Sequence, residues 1–225
     1  MVKLKKREKW LIASIIVLFV SVTLLTNFYG GADIYDYSDV AKYFSGEYPA
    51  KIRTSHSYLY GLIHTPFVDL FNSYLVFKIT SLICLFLIVY SVYRISNRDK
   101  RALWLALLSP IVWYMAPWIS PIQLSSLLFL WGWHFIKKYD SEKNLKKSVI
   151  YLFYSGSLIG FSWAFWDGIL FFIPLLMLSF LYDSKLSHSV YFALFVLVGI
   201  LPRLIIDHFL FGFAAVWVIV WLCER

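Results

Sequence analysis

Long apolar runs recur along nearly the whole chain and constrain its fold more than any other feature. The first covers about residues 10–28, and a helix of that length at about 1.5 Å per residue reaches about 28 Å, enough to cross a bilayer core. Further runs lie at about residues 72–93, 102–118, 121–136, 149–166, 168–181, 190–206 and 209–223. Because backbone polar groups must be satisfied within the chain in lipid, these runs predict an all-α polytopic transmembrane helix bundle of about seven to eight segments.

The runs divide residues 1–225, read as a single membrane domain, into four parts. Residues 1–9 form a basic tail, 10–28 the first span, 29–71 a large loop, and 72–223 the remaining helices. The small residues Gly30, Gly31 and Ala32 could follow a cleaved signal peptide, but the apolar run is long for one. We therefore interpret the first span as an uncleaved anchor.

Charge places the N-terminus on the cytoplasmic side of the cell membrane. The 21 Lys and Arg residues exceed the 13 Asp and Glu residues, and most of the basic ones fall in short loops, where they set topology. The N-terminus, the loops 94–101 and 137–147, and Lys185 are then cytoplasmic, and the 29–71 loop is extracytoplasmic. This placement explains the basic excess without nucleic acid as a partner.

The outer loop opens with three carboxylates, Asp33, Asp36 and Asp39. The apolar residues in the sequence that follows are Tyr37, Val40, Ala41 and Phe44. Their spacing of i, i+3, i+4 and i+7 predicts a short amphipathic helix in the outer interface. Gly46 is expected to end this helix. Acids held at a membrane face are costly and indicate a functional site.

Each acid also has a structural interpretation. Asp36 could be the N-cap and Asp39 a first-turn acid, since both positions stabilise a helix start. Asp33 precedes the helix and directly follows the first span, so it is the strongest candidate for the functional carboxylate. Asp167 lies between two apolar runs at the same predicted face and is either a turn residue or a polar group that supports a site.

Basic residues on the outer side require a reason, because they run against the charge bias. Lys51, Arg53, His56 and Arg203 lie there, and an anionic group such as a lipid phosphate would provide one. Lys51 could simply touch lipid headgroups, and His56 could be a structural hydrogen-bonding residue. Arg203 and Asp207 could pair with each other at i, i+4.

Several function classes find no support in the sequence. The chain has no HExxH motif, no CxxC pair, no phosphate-binding glycine loop and no nucleophile elbow, so zinc hydrolysis and ATP-driven transport are not indicated. Cys84 and Cys223 show neither metal-ligand spacing nor a disulfide framework.

The layout resembles the GT-C superfamily of polytopic glycosyltransferases, which includes lipid-phosphate-sugar mannosyltransferases. The resemblance rests on the basic N-terminus, one span, Asp33 and Tyr37 opening a large outer loop, and Gly46 with Pro49. Further motifs are similar to helix ends of that family, namely Ser109-Pro-Ile-Val-Trp113 with Pro117-Trp118, Gly156-Ser-Leu-Ile-Gly160, and Leu201-Pro-Arg-Leu204 followed by Phe211-Gly212. The chain is shorter than typical members, so the resemblance implies the N-terminal part of such an enzyme, an incomplete module.

The resemblance implies inverting transfer of a hexose, such as mannose, from a polyprenyl-phosphate donor on the extracytoplasmic face. The acceptor would be a glycan, a lipid or a protein. Asp33, or Asp36 in its place, matches the acid that activates the acceptor. Some relatives use a divalent cation, Mg²⁺ or Mn²⁺, which Asp33, Asp36 and Asp39 could hold; no metal site is otherwise indicated.

Two other classes remain open at this point. The polar residues near helix ends, Asp167, Arg203 and Asp207, would also suit a transporter or flippase, although no internal repeat of the kind common in transporters occurs. The short length would suit a non-catalytic subunit that works with a second polytopic chain, or a truncated remnant.

Overall fold

The structure, a computed structural model, describes residues 5–27, 34–47, 58–68, 70, 73–182 and 186–212. Within these residues the fold is entirely helical and contains no strand, so the predicted all-α class is confirmed. The helices are α1 Lys6–Leu25, α2 Ile34–Ser45, α3 Tyr58–Leu62, α4 Thr65–Val68, α5 Ser73–Ile95, α6 Lys100–Leu107, α7 Pro110–Met115, α8 Ile122–Ser141, α9 Leu145–Phe165, α10 Phe172–Tyr182 and α11 Leu186–Phe211, with a 3-10 helix at Asp167–Phe171 before α10.

Four of these helices, α1, α5, α9 and α11, are long and apolar enough to cross a membrane. They indicate a membrane protein, as the apolar runs predict. The predicted count of seven to eight segments and the predicted orientation remain predictions. The eighth apolar run falls mostly outside the described residues, which end at residue 212.

The structure corrects the third predicted segment, residues 102–118, which is not one continuous helix. It is divided into α6 and α7 at Ser109, whose backbone is extended (φ −59°, ψ 123°). The cause is Pro110, which has no N–H to donate to the preceding turn and disfavours a helical conformation for Ser109. The Nε1 of Trp113 donates to the Leu107 carbonyl at 2.9 Å and so satisfies a group that the break leaves open.

The structure groups the chain into two compact units. The first comprises Met1–Lys51 and Gly61–Gln123, and the second comprises Ile52–Tyr60 and Leu124–Arg225. In the first unit α1 and α5 run antiparallel, since Thr23 lies near Lys78 and Phe19 packs against Phe86 with ring centroids 5.5 Å apart. An apolar cluster of Phe19, Leu82, Leu85 and Ala116 fills the space between them.

A tight turn joins α5 to α6. The backbone N–H of Arg98 donates to the Tyr93 carbonyl at 2.8 Å, and that of Asn97 donates to the Arg94 carbonyl at 3.3 Å. This is a Schellman motif, which requires a left-handed residue just after the helix, and Asn97 has φ 59°. Asp99 then caps α6 by accepting from the Arg101 N–H at 2.9 Å.

In the second unit α9 and α11 run parallel and pack closely. Gly156 lies against Phe192 and Phe195, whereas Gly160, one turn further on, lies against Val196 and Gly199. A Cβ on Gly160 would collide with the Val196 carbonyl. Two glycines four residues apart create the close approach that membrane helices use to associate.

The motifs that carry the family resemblance coincide with helix ends only in part. Residues 156–160 lie in the interior of α9, and residues 201–204 lie in the interior of α11. The break at Ser109 and Pro110 does coincide with a helix boundary, and Phe211-Gly212 lies at the end of α11.

Candidate functional site

Helix α2 carries two of the predicted acids and Tyr37. Because α2 begins at Ile34, Asp36 lies in its first turn. The interpretations of Asp36 as N-cap and Asp39 as a first-turn acid are therefore wrong. Both side chains are half-buried, and one carboxylate oxygen of Asp36, Oδ2, is buried.

The buried face of α2 is wider than the sequence pattern indicates. Tyr37, Val40 and Ala41 are buried as an apolar face should be, but Ser38 is also buried, at 2% exposure. Gly61 of α3 packs directly against α2, because a Cβ on Gly61 would lie only 2.7 Å from the Tyr37 carbonyl oxygen. Asp36 and Asp39 thus lie on a helix that is packed against other parts of the protein.

Four predicted site residues lie outside the described residues: Asp33, Lys51, Arg53 and His56. Their roles remain predictions. The predicted metal-binding set of Asp33, Asp36 and Asp39 is untested for the same reason. Among the described residues, no group of three His, Cys, Asp or Glu side chains could hold a metal ion.

The structure brings the other predicted residues together in the second unit, around Arg203 of α11. Arg203 and Asp207 are both fully buried, at 0% exposure, and their spacing of four residues places them on one face of the helix. Nη1 of Arg203 donates to the Ala164 carbonyl at 3.1 Å and to Oδ1 of Asp167 at 3.4 Å. Ala164 lies in the last turn of α9, where carbonyls lack helical partners.

Asp167 is thus more than a turn residue. It opens the 3-10 helix that follows α9, and its side chain, 44% exposed, forms an ion pair with the buried guanidinium. Its predicted role as a polar group that supports a site stays a prediction.

Tyr58 joins the cluster, and the sequence gives little indication that it would. Its hydroxyl donates to Oδ1 of Asp207, and the Arg203 guanidinium lies 5.9 Å from the centre of its ring. Burial, and then the hydrogen bond to Asp207, raise the pKa of Tyr58 well above its usual value. The phenol therefore stays neutral and acts as a donor at physiological pH.

The aromatic ring of Trp163 completes the surroundings of Arg203, with the guanidinium 5.3 Å from its centre. A cation over aromatic faces gains more when it is desolvated, as this one is. Arg203 is therefore held by a carbonyl, a carboxylate and two rings, all in the second unit. We name Tyr58, Trp163, Asp167, Arg203 and Asp207 the arginine cluster.

The chemistry open to the arginine cluster centres on Asp207. One of its oxygens accepts from Tyr58, whereas the other, Oδ2, is buried and has no hydrogen-bond partner among the described residues. A buried carboxylate oxygen of this kind can accept a hydrogen bond or a proton from a hydroxyl group. The cluster thus offers an acceptor beside a permanent cation.

Lys78 is a second buried cation that the sequence analysis overlooked. It lies in α5 at 3% exposure, and its ammonium donates to the Thr23 carbonyl at 3.0 Å and to the Thr26 carbonyl. Both carbonyls belong to the end of α1, which has no basic residue in its own last turn. The sequence does contain the signal, because a lysine inside an apolar span is costly and indicates a specific binding partner.

Comparison of the chain with protein-family models, with curated proteins and with solved structures gives no match. What defines the protein is therefore its fold and its sites. Within the described residues it is all-helical, with four helices that could cross a membrane, an acid-bearing helix after the first of them, and a buried arginine cluster.

Proposed function

We propose that the chain is a membrane glycosyltransferase of the GT-C type, or the N-terminal part of one. It would transfer a hexose from a polyprenyl-phosphate donor to an acceptor hydroxyl on the extracytoplasmic face. The observation that carries the proposal is the placement of Asp36. It lies in the first turn of α2, soon after the apolar helix α1, with one carboxylate oxygen buried.

A carboxylate in this position suits an inverting transfer. The acceptor hydroxyl must lose a proton as it attacks the anomeric carbon, and a carboxylate on the face opposite the leaving group can accept it. Asp33 is the first candidate for this base, and Asp36 is the alternate.

The leaving group, a lipid phosphate, gains negative charge during the reaction and requires cations beside it. In the proposal Lys51, Arg53 and His56 supply positive charge or hydrogen-bond donors. Arg203 is engaged by Ala164 and Asp167, so its proposed part is to hold the local structure of the second unit.

A divalent cation, where the reaction uses one, would suit the acids of α2. Asp36 and Asp39 are three residues apart on one helix and so are neighbours on its surface. Their carboxylate oxygens are the ligand type that Mg²⁺ and Mn²⁺ prefer. The cation would neutralise phosphate charge; the proton transfer assigned to the carboxylate base does not require it.

The test is sugar transfer by the full chain reconstituted in vesicles with a labelled polyprenyl-phosphate hexose. We expect Asp33→Asn to reduce the transfer rate by at least about 100-fold, the usual contribution of a general base, with a smaller loss for Asp36→Asn. Glu47→Gln is the matched control, because Glu47 is an exposed acid two residues beyond α2. Near-normal transfer by both aspartate variants would exclude the proposed base.

A second candidate, a transporter or flippase, is favoured by one observation. Arg203 and Asp207 are ionisable groups buried in α11, one of the four apolar helices, and buried charge in such helices often marks a substrate path. Flux of a lipid-linked sugar across vesicles, retained in Asp33→Asn and lost in Asp207→Asn, would support this candidate over the enzyme.

A further inference from the structure

The first unit contains an apolar groove whose walls do not include α2. It has a volume of about 340 Å³, which lies within the range of about 300–1,000 Å³ for small-molecule sites. Its walls come from α1, α5 and α6, with side chains that include Ile12, Ile16, Val89, Tyr90, Leu103 and Leu107. The groove is accessible, since Tyr90 is 53% exposed.

One end of the groove lies about one helical turn from a cluster of charged residues. Ile12 follows Glu8 by four residues, Leu103 follows Lys100 by three, and Tyr90 precedes Arg94 by four. At about 1.5 Å per residue, these spacings are about 4–6 Å along each helix. The ends of three helices therefore converge next to the apolar walls.

An ion pair holds these helix ends together. Nζ of Lys100 lies 2.9 Å from Oε2 of Glu8, which joins the start of α6 to the start of α1. The Schellman turn fixes the end of α5 beside them, and it does so with Arg98 itself in a left-handed conformation (φ 64°). A non-glycine residue held there is mildly strained, which is common where a side chain must be presented at a site.

Three arginines remain for a ligand at this end. Arg94 and Arg101 are exposed and Arg98 is half-exposed, and none of the three forms an ion pair within the described part of the chain. Lys5, the residue before α1, and Lys9 of α1 add further exposed positive charge. The site thus pairs an apolar groove with a cationic rim.

We propose that this groove binds an anionic phospholipid of the surrounding membrane. One acyl chain occupies the apolar walls, and the headgroup phosphate lies on Arg94, Arg98 and Arg101. The charge complementarity selects the occupant, because arginine binds two phosphate oxygens at once and basic pockets between membrane helices recognise anionic headgroups. The site belongs to the side that the sequence predicts to be cytoplasmic.

Photocrosslinking tests the proposal on the full chain in neutral-lipid nanodiscs. Phosphatidylglycerol and phosphatidylcholine, each with the same photoreactive acyl chain, are compared at equal amounts. We expect phosphatidylglycerol to label α5 and α6 several-fold more strongly. Each arginine removed in Arg98→Gln with Arg101→Gln should reduce that label by about 5-fold, the contribution of about 1 kcal/mol per basic residue near a charged surface.

A matched variant separates this site from general surface charge. Lys146→Gln with Lys147→Gln removes two exposed charges from the first turn of α9, in the other unit, and should leave the label unchanged. Ile16→Trp, which places a larger side chain in the groove wall, should reduce labelling by both lipids. High salt should weaken the phosphatidylglycerol preference of the unaltered chain, a check that needs no variant.

Three results would overturn the proposal. Equal labelling by the two lipids would mean that the headgroup is not recognised. Equal losses in the α6 and α9 variants would mean that only overall charge matters. Displacement of the label by a polyprenyl phosphate, but not by excess unlabelled phosphatidylglycerol, would identify a lipid carrier as the occupant.

Discussion

Each of the two compact units buries a cation that donates to carbonyls at the end of an apolar helix. The two cations differ in the other groups that they contact. In the first unit Lys78 donates to carbonyls at the end of α1. In the second, Arg203 donates to the Ala164 carbonyl in the last turn of α9. Both cations satisfy carbonyls that have no helical partner and complement the negative end of the helix dipole.

The difference follows from the shapes of the two side chains. An ammonium is a compact charge with three donors, and Lys78 uses it to join two helices. A guanidinium is a planar fork that can stack and donate in several directions at once. Arg203 thereby connects α9, the 3-10 helix, α3 and α11, through Asp167, Tyr58 and Trp163. The comparison predicts that the second unit depends more strongly on its cation.

Replacement of Arg203 by methionine should have the largest effect. The change removes the buried guanidinium that pairs with the Asp167 carboxylate, and removing one partner of a buried ion pair costs about 3–5 kcal/mol. Denaturant unfolding in mild detergent measures the loss, with Arg203→Lys as the variant that keeps the charge. A free energy of unfolding within about 1 kcal/mol of the original would refute the strong dependence.

Replacement of Lys78 by methionine should have a smaller effect, about 2 kcal/mol, because the Thr23 and Thr26 carbonyls that lose their donor are neutral groups. Hydrogen exchange should quicken at the end of α1, where the Thr26 N–H donates to the Val22 carbonyl. Ile79→Met, at an exposed neighbouring position, is the control. A loss in the free energy of unfolding equal to that of Arg203→Met would contradict the prediction that the second unit depends more strongly on its cation.

Replacement of Tyr58 by phenylalanine removes the hydroxyl that donates to Asp207, for an expected loss of about 1–2 kcal/mol. The pH dependence adds a second signal. Because burial raises the pKa of Tyr58, the unfolded chain ionises first, and the stability that this residue provides is lost as the pH rises above about 10. Unfolding at pH 8 and pH 11 should show a smaller decline for Tyr58→Phe than for the original; equal declines would contradict this account. Tyr114→Phe, at an exposed site, is the control.

The smallest effect should come from the Glu8–Lys100 pair, which is partly exposed on both sides. Glu8→Gln should cost less than about 1 kcal/mol, since solvent and salt screen such pairs. Unfolding at low and high salt measures it, and the cost should shrink as salt is added. A cost that is independent of salt and as large as that of Lys78→Met would contradict this account. It would show that the partly exposed Glu8–Lys100 pair contributes as much stability as the buried contacts of Lys78.

Much of the fold could be predicted from local pattern. The helical class and the four long apolar helices follow from run length, and the positions of α5, α9 and α11 are close to those expected. The break between α6 and α7 was also readable in principle, because Ser109-Pro110 is a local signal. It was missed because hydropathy averages over both helices.

The candidate site was harder to predict for a different reason. The sequence singles out Asp167, Arg203 and Asp207 individually, because charge is rare in apolar runs. It does not show that Tyr58 donates to Asp207 across 149 residues, since that contact depends on how helices pack. Lys78 was overlooked although its position was visible, because its carbonyl partners in α1 carry no side-chain signature.

The sequence by itself determined the helical class and the long apolar helices of this protein. Runs of apolar residues favour a membrane and, within it, helices, because the backbone must satisfy its own hydrogen bonds. Tertiary structure alone decided which charges are neutralised and by what. A buried arginine or lysine stabilises the contact between two helices only where carbonyls, carboxylates or aromatic rings surround its charge. Which groups surround it depends on how the helices pack.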